Sequence, residues 1–188
     1  MTRVPRDARR DEAAAVPVNL YFVLYVPRPA ADAVMKIRRG IKDNFFSELS
    51  VDVTLAGSTG VGIVDPMQDL AAAYRILDGI AETTAPIAAR FGPVTKFPGT
   101  DIYALTFEDE APLRALHDRI AKSGIKFHES PHRFIPHCTL RSGGLLSASE
   151  DHRIRALRVP GSFTLATLSV CRLDKPPVTL LHSADLTG

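Results

Sequence analysis

Two stretches of this chain repeat one another. The segment Gly40–Leu55 and the segment Gly124–Leu140 both open with Gly-Ile-Lys and both end in Thr-Leu, differing in length by one residue. Each is preceded by an amphipathic helical pattern and, before that, by an apolar strand pattern carrying Tyr21 or Tyr103. A strand–helix–strand order therefore occurs twice. One such unit leaves an apolar face uncovered, and two copies cover each other. The repeat predicts an α+β chain in which residues 17–188 form a single bilobal domain. Its pseudo-duplicated β-α-β units would carry antiparallel sheets around a central cleft, with helices outside.

The remaining elements follow from local pattern. Leu20 to Val26 is aromatic and β-branched and ends at Pro27, as a buried strand does. From Ala30 to Phe46, Val34, Ile37 and Ile41 recur at helical spacing, with Lys36, Arg38, Arg39 and Lys42 off that face. Val51 to Ala56 is a short strand, followed by the glycine-rich turn Gly57–Gly62. Asp65-Pro66 is expected to open a second helix, with Gln68 completing a capping box. Pro86 to Lys96 and Asp101 to Phe107 make an antiparallel pair joined around Pro98-Gly99. Pro112 to Lys122 is a third helix, and Phe134 to Arg141 is a strand. Ser147 with Glu150 caps a fourth helix running to about Leu157. Phe163 to Leu173 and Val178 to His182 close the chain as strands.

Side chains alternate between the faces of a strand. His137, Thr139 and Arg141 therefore share one face, with Cys138 and Leu140 on the other. In the repeat, Asp52 and Thr54 take the places of His137 and Thr139, with Val53 and Leu55 opposite. If a two-fold axis relates the copies, both polar faces line one cleft.

Composition narrows the function. The net charge of +2 argues against a protein that coats nucleic acid by electrostatics alone. An enzyme that handles one phosphate at a time remains open. Two cysteines, Cys138 and Cys171, do not make a disulfide framework and fit a reduced cytoplasmic setting. Residues 1–16 mix arginines with acids, lack the apolar core of a signal peptide and read as a flexible tail. The apolar run at Leu20–Val26 is far too short to span a bilayer, so no membrane partner is expected.

The run Pro136-His-Cys-Thr-Leu-Arg141 resembles the histidine-x-threonine motif of the two-histidine (2H) phosphoesterase superfamily, which includes the 2′-5′ RNA ligases and the 2′,3′-cyclic phosphodiesterases. That superfamily has one such motif in each lobe of a pseudo-symmetric fold. The resemblance spans residues 17 to 185 in element order. It implies hydrolase or ligase chemistry on RNA ends or small cyclic nucleotides, without metal or cofactor, in a monomer. One histidine serves as general base and the other as acid, an arrangement suited to a group that titrates near neutrality. Carried over, His137 is an acid/base and Thr54 and Thr139 hold the phosphate.

The first motif departs from this pattern. All six histidines lie at or beyond His117, so Asp52-Val53-Thr54-Leu55 is its sole candidate. Three readings stay open. Asp52 acts as general base with His137 as acid, and Arg141 clamps the phosphate to offset the carboxylate's repulsion. Alternatively, the homologue is catalytically impaired and binds a nucleotide or RNA end without turnover. In the third reading, the chain is an ordinary α+β interaction domain.

Other candidates have blander readings beside them. Tyr21 and Tyr103 are placed to stack on a base or to sit buried in strands. His128 and His132 have loose metal-ligand spacing, but solvated loop histidines fit better. Arg133 is a candidate phosphate contact or a solvated loop charge. The Gly57–Gly62 turn lacks the lysine of a phosphate loop and reads as a turn at the cleft mouth. Cys138 faces the core, and Lys42 and Lys126 favour helix ends.

Overall fold

The computed structural model describes residues 19–41, 43, 45–173 and 176–188. The segment expected to be a tail, and Lys42, lie outside them. The chain runs β1 (Leu20–Tyr25), α1 (Ala30–Gly40), a 3₁₀ turn (Phe46–Glu48), β2 (Asp52–Ala56), β3 (Ile63–Val64) and α2 (Leu70–Glu82). It continues with β4 (Ile87–Lys96), β5 (Tyr103–Phe107), α3 (Ala111–Ala121), β6 (Phe127–His128) and β7 (Cys138–Arg141). It ends with α4 (Ala148–Arg155), β8 (Ser162–Leu165), β9 (Thr167–Arg172) and β10 (Thr179–Asp185). None of the described helices is long and apolar enough to cross a membrane.

The α+β expectation holds, and the repeat is visible in the sheets. One four-stranded sheet has the order β10-β9-β1-β2 and the other β8-β4-β5-β7, both antiparallel. Strands β1 and β2 of the first copy pair with each other, as do β5 and β7 of the second. The helices cross over. Helix α1 packs on β7 and α3 packs on β2, so each copy covers the other's motif strand. This exchange answers the exposed apolar face that a single copy would leave.

The core carries the strand alternation. Val53, Leu55, Cys138 and Leu140 are fully buried, and Asp52, Thr54, Thr139 and Arg141 are half-buried on the opposite faces. Each such leucine stabilises the fold by roughly 1.5–3 kcal/mol through burial alone. Leu113, Leu116 and Ile120 from α3 join the core as the helical spacing predicts.

Several boundaries differ from expectation. The first helix stops at Gly40, and Asp43 accepts the Phe46 amide at 2.6 Å to start the 3₁₀ turn. Its buried stripe is Ala30, Val34 and Arg38, so Arg38 lies inside rather than on the solvent face. The second helix opens at Leu70, not Asp65. Asp69 caps it by accepting from the amides of Ala71 and Ala72. Asp65 instead closes a local turn with Met67, and Gln68 accepts the Lys126 amide from across the fold. The capping box of Ser147 and Glu150 is present. The stretch expected as one strand from Phe163 to Leu173 is two strands in different sheets, β8 beside β4 and β9 beside β1. Strand β7 begins at Cys138 rather than Phe134, because residues 130–137 run as a loop.

Candidate active site in the central cleft

A cleft of about 820 Å³ opens between the two sheets. Its floor is built from alternate residues of the motif strands: Asp52 and Thr54 from β2, and His137 and Thr139 at the start of β7. Strand β1 adds Tyr21, Val23 and Tyr25, one full face of a strand. The β4–β5 connection adds Phe97, Pro98 and Thr100, and Phe45 and Phe46 close the side near the 3₁₀ turn. The tertiary fold thus brings together two pairs of polar side chains that are separated by more than eighty residues in sequence.

The ring of His137 is oriented by its own backbone. Its Nδ1 lies 2.6 Å from the carbonyl oxygen of Ile135. A carbonyl only accepts, so Nδ1 carries the proton, and the neutral ring keeps its lone pair on Nε2. Phe97 meets the imidazole edge-on, with ring centres 4.9 Å apart. Burial lowers the His137 pKa from its ordinary value, against the opposing pull of the Ile135 carbonyl. The ring therefore stays neutral near pH 7.

Asp52 moves the other way. Burial raises its pKa, opposed by the hydrogen bond from Thr54 and by the positive charge of Arg38. Thr54 Oγ1 donates to Asp52 Oδ2 at 3.0 Å. Tyr25 sits opposite Asp52 in the β1–β2 pairing, and its hydroxyl is pushed well up by burial, with Cys171 and Asp52 adding to the shift. Cys171, on the neighbouring strand β9, is raised to about 12, chiefly by burial. No thiolate forms there at neutral pH.

Two of the expected contacts lie elsewhere. Tyr103 is 1% exposed, and its hydroxyl donates to Asp151 Oδ1 at 2.6 Å, so it holds α4 against the sheet and offers no face to the cleft. Arg141 shares the strand face of His137 but sits beyond the cleft wall, where its Nη1 donates to the Gly144 carbonyl at 3.0 Å. The glycine turn after β7 presents that carbonyl to it. Tyr21, by contrast, lines the cleft.

The loop candidates resolve in the same manner. Ser58 and Thr59 of the glycine-rich turn reach the cleft. A Cβ at Gly57 would collide with the Tyr21 ring and the Thr54 methyl, so glycine there lets the turn close onto the floor. His132 and Arg133 line the rim. His128 lies 4.0 Å from Asp65, and among the described residues no three histidine, cysteine or carboxylate side chains converge as a metal site. Cys138 is fully buried and its pKa is raised to about 12, chiefly by burial.

A family model for the 2′-5′ RNA ligase superfamily matches residues 17–177. The chain belongs to that superfamily. No curated protein matches the sequence. Among solved structures, TT0787 of Thermus thermophilus superposes with a TM-score of 0.64 at 18% identity, covering 90% of this chain and 98% of its own. E. coli LigT, solved in complex with 3′-AMP, gives 0.63 at 17% identity, covering 92% and 100%. LigT solved with NADP+ gives 0.62 at 18%, covering 92% and 99%. At these identities the neighbours establish the fold. At the position that the internal repeat matches to His137, the chain has Asp52.

Sequence reasoning missed Tyr25, the Phe45–Phe46 pair, Phe97 and Arg38. Tyr25 was within reach, because period-two alternation puts it on the face of Tyr21. Phe97 had no signal, since it enters the cleft only through the β4–β5 connection.

Proposed function

We propose that the cleft performs acid/base phosphodiester chemistry on 2′,3′-cyclic phosphates at RNA ends or in small cyclic nucleotides, without a metal. The observation that carries this reading is the convergence of His137, Asp52, Thr54 and Thr139 on one cleft floor. Superfamily membership and nucleotide-bound LigT as a structural neighbour support it.

The opposite directions of the two pKa shifts favour His137 as the base and Asp52 as the acid. Neutral His137 takes a proton from the attacking water at Nε2 as the water oxygen bonds phosphorus. The Asp52 carboxyl gives its proton to the departing ribose oxygen as that P–O bond breaks. His137 then loses its proton to solvent, and Asp52 regains one. Thr139 donates to a phosphoryl oxygen. This division reverses the one considered from sequence, because burial works against the charged form of both groups. The protein would act as a cytoplasmic monomer, with residues 17–188 as one bilobal unit.

A second reading is favoured by one contact. Thr54 gives its hydroxyl proton to Asp52, which removes one phosphate donor and suits a protein that binds without turnover. The test is hydrolysis of an oligonucleotide ending in a 2′,3′-cyclic phosphate, with a chelator present, by wild type, His137→Ala and Asp52→His. Turnover by wild type that His137→Ala abolishes supports the enzyme. An inert wild type that gains activity through Asp52→His supports the binder.

A further inference from the structure

Arg38 is the most buried charged side chain of the described residues, at 1% exposure. Its guanidinium is spent on backbone carbonyls of both halves. Nε and Nη2 both donate to the Thr139 carbonyl, at 3.0 and 2.7 Å. Nη1 donates to the carbonyls of Phe46, Leu49 and Ser50, at 3.1, 3.0 and 3.3 Å. The first contact grips the motif strand that carries His137. The others grip the segment that delivers Asp52 and Thr54 to the floor. Asp43 works beside it, accepting the amides of Phe46 at 2.6 Å and Ser142 at 3.0 Å, and so ties the same segment to the end of β7.

All of these acceptors on Arg38 are neutral. A buried cation with neutral partners alone is costly unless a counter-charge stands near. Arg38 holds the Ser50 carbonyl, two residues before Asp52, and its positive charge favours the Asp52 carboxylate. The other titratable groups acting near Asp52 are Tyr25 on β1, Cys171 on β9 and Cys138 on β7, all neutral at pH 7. Arg38 is therefore a positive charge within the fold that favours the Asp52 anion.

We propose that Arg38 is the positioning residue of this site, locking the two motif strands at working separation and supplying from within the fold the positive charge that the first motif lacks. This inference rests on the acid/base reading of the cleft. Burial alone makes the Asp52 carboxyl a reluctant acid. Arg38 stabilises the carboxylate left after proton transfer and restores its acidity. A lysine cannot replace it fully, because a single ammonium lacks the planar fork that holds Thr139 while reaching three further carbonyls.

The experiment compares Arg38→Lys, Arg38→Met and Asp43→Asn with wild type. The readouts are the pH profile of kcat, KM, thermal melting, and the ¹³C titration of the Asp52 carboxyl. Asp43→Asn loosens the same segment without touching the Arg38 charge. The expected result for Arg38→Met is an Asp52 titration displaced upward by about one pH unit or more, with the alkaline limb of kcat following it and kcat down at least about tenfold. Arg38→Lys is expected to bring the titration back toward wild type while kcat stays depressed. Asp43→Asn is expected to melt earlier with the titration unmoved. If Arg38→Met leaves the Asp52 titration unmoved, or Asp43→Asn moves it equally, the proposal is overturned. If Arg38→Met does not fold, Arg38→Lys decides: kcat and titration both at wild-type values refute the fork. An inert wild type defeats the acid/base reading, whereas the carboxyl titration still tests Arg38 without turnover.

Discussion

The two motif strands are built alike and tuned apart. Strand β2 and the start of β7 each send two polar side chains to the cleft and two apolar ones to the core. Each is covered by a helix from the other copy. Each also receives a buried side chain from that helix onto a backbone carbonyl. Arg38 of α1 donates to Thr139, and His117 of α3 places Nδ1 2.7 Å from the Leu55 carbonyl. The halves differ in the side chains that fill these two positions. The second half has one imidazole at the cleft and another, stacked on Phe134, in the support position. The first half has a carboxyl at the cleft and a guanidinium in the support position.

The largest effect should come from the half that retains its histidine. His137→Ala is expected to cut turnover of a cyclic-phosphate substrate by roughly 10²–10⁴-fold with melting little changed, measured by product release. An equal loss of melting temperature and activity would mean that His137 is a structural residue. In the other half, Asp52→His restores a second imidazole. It should raise kcat in a protein that is slow only for want of a better group at that position, and leave it unchanged or lower where Arg38 has already adapted the site to a carboxyl.

On the core side the halves should behave equally. Leu55→Ala and Leu140→Ala each remove a fully buried side chain and are expected to cost about 2–5 kcal/mol in denaturant unfolding. A difference well beyond that spread would show that one half carries the stability of both. Gly57→Ala breaks the symmetry from outside. Its Cβ meets Tyr21 and Thr54, so substrate affinity should fall, read as a raised KM or a weaker nucleotide titration.

The smallest effect is a pH dependence. The folded pKa of Asp52 lies above its unfolded value, so its contribution to stability is fully present below the unfolded pKa and is lost as pH rises through the folded one. Asp52→Asn should therefore gain melting temperature relative to wild type at pH 7 and lose that advantage at about pH 4. His137 runs in the opposite sense. Its lowered folded pKa favours the fold above the unfolded pKa, and that stability is lost as pH falls through the folded value.

The repeat, the strand alternation and the pairing of Asp52-Thr54 with His137-Thr139 were legible in the sequence because they depend on period and order along the chain. The α+β class and the polar floor of the cleft follow from them. What the chain order could not supply was the partner of each face. Arg141 has the right parity for the cleft, yet the turn at Gly144 takes its guanidinium. Tyr103 matches Tyr21 in the repeat, yet α4 brings Asp151 to its hydroxyl. Arg38 falls among basic residues on the helix face expected to meet solvent, and only the exchange of helices between halves turns it inward. A strand's alternation is a local property of the pleated backbone. The fate of the buried Arg38 charge depends in part on a carbonyl contributed by a segment about a hundred residues away, and the two meet only in the folded chain.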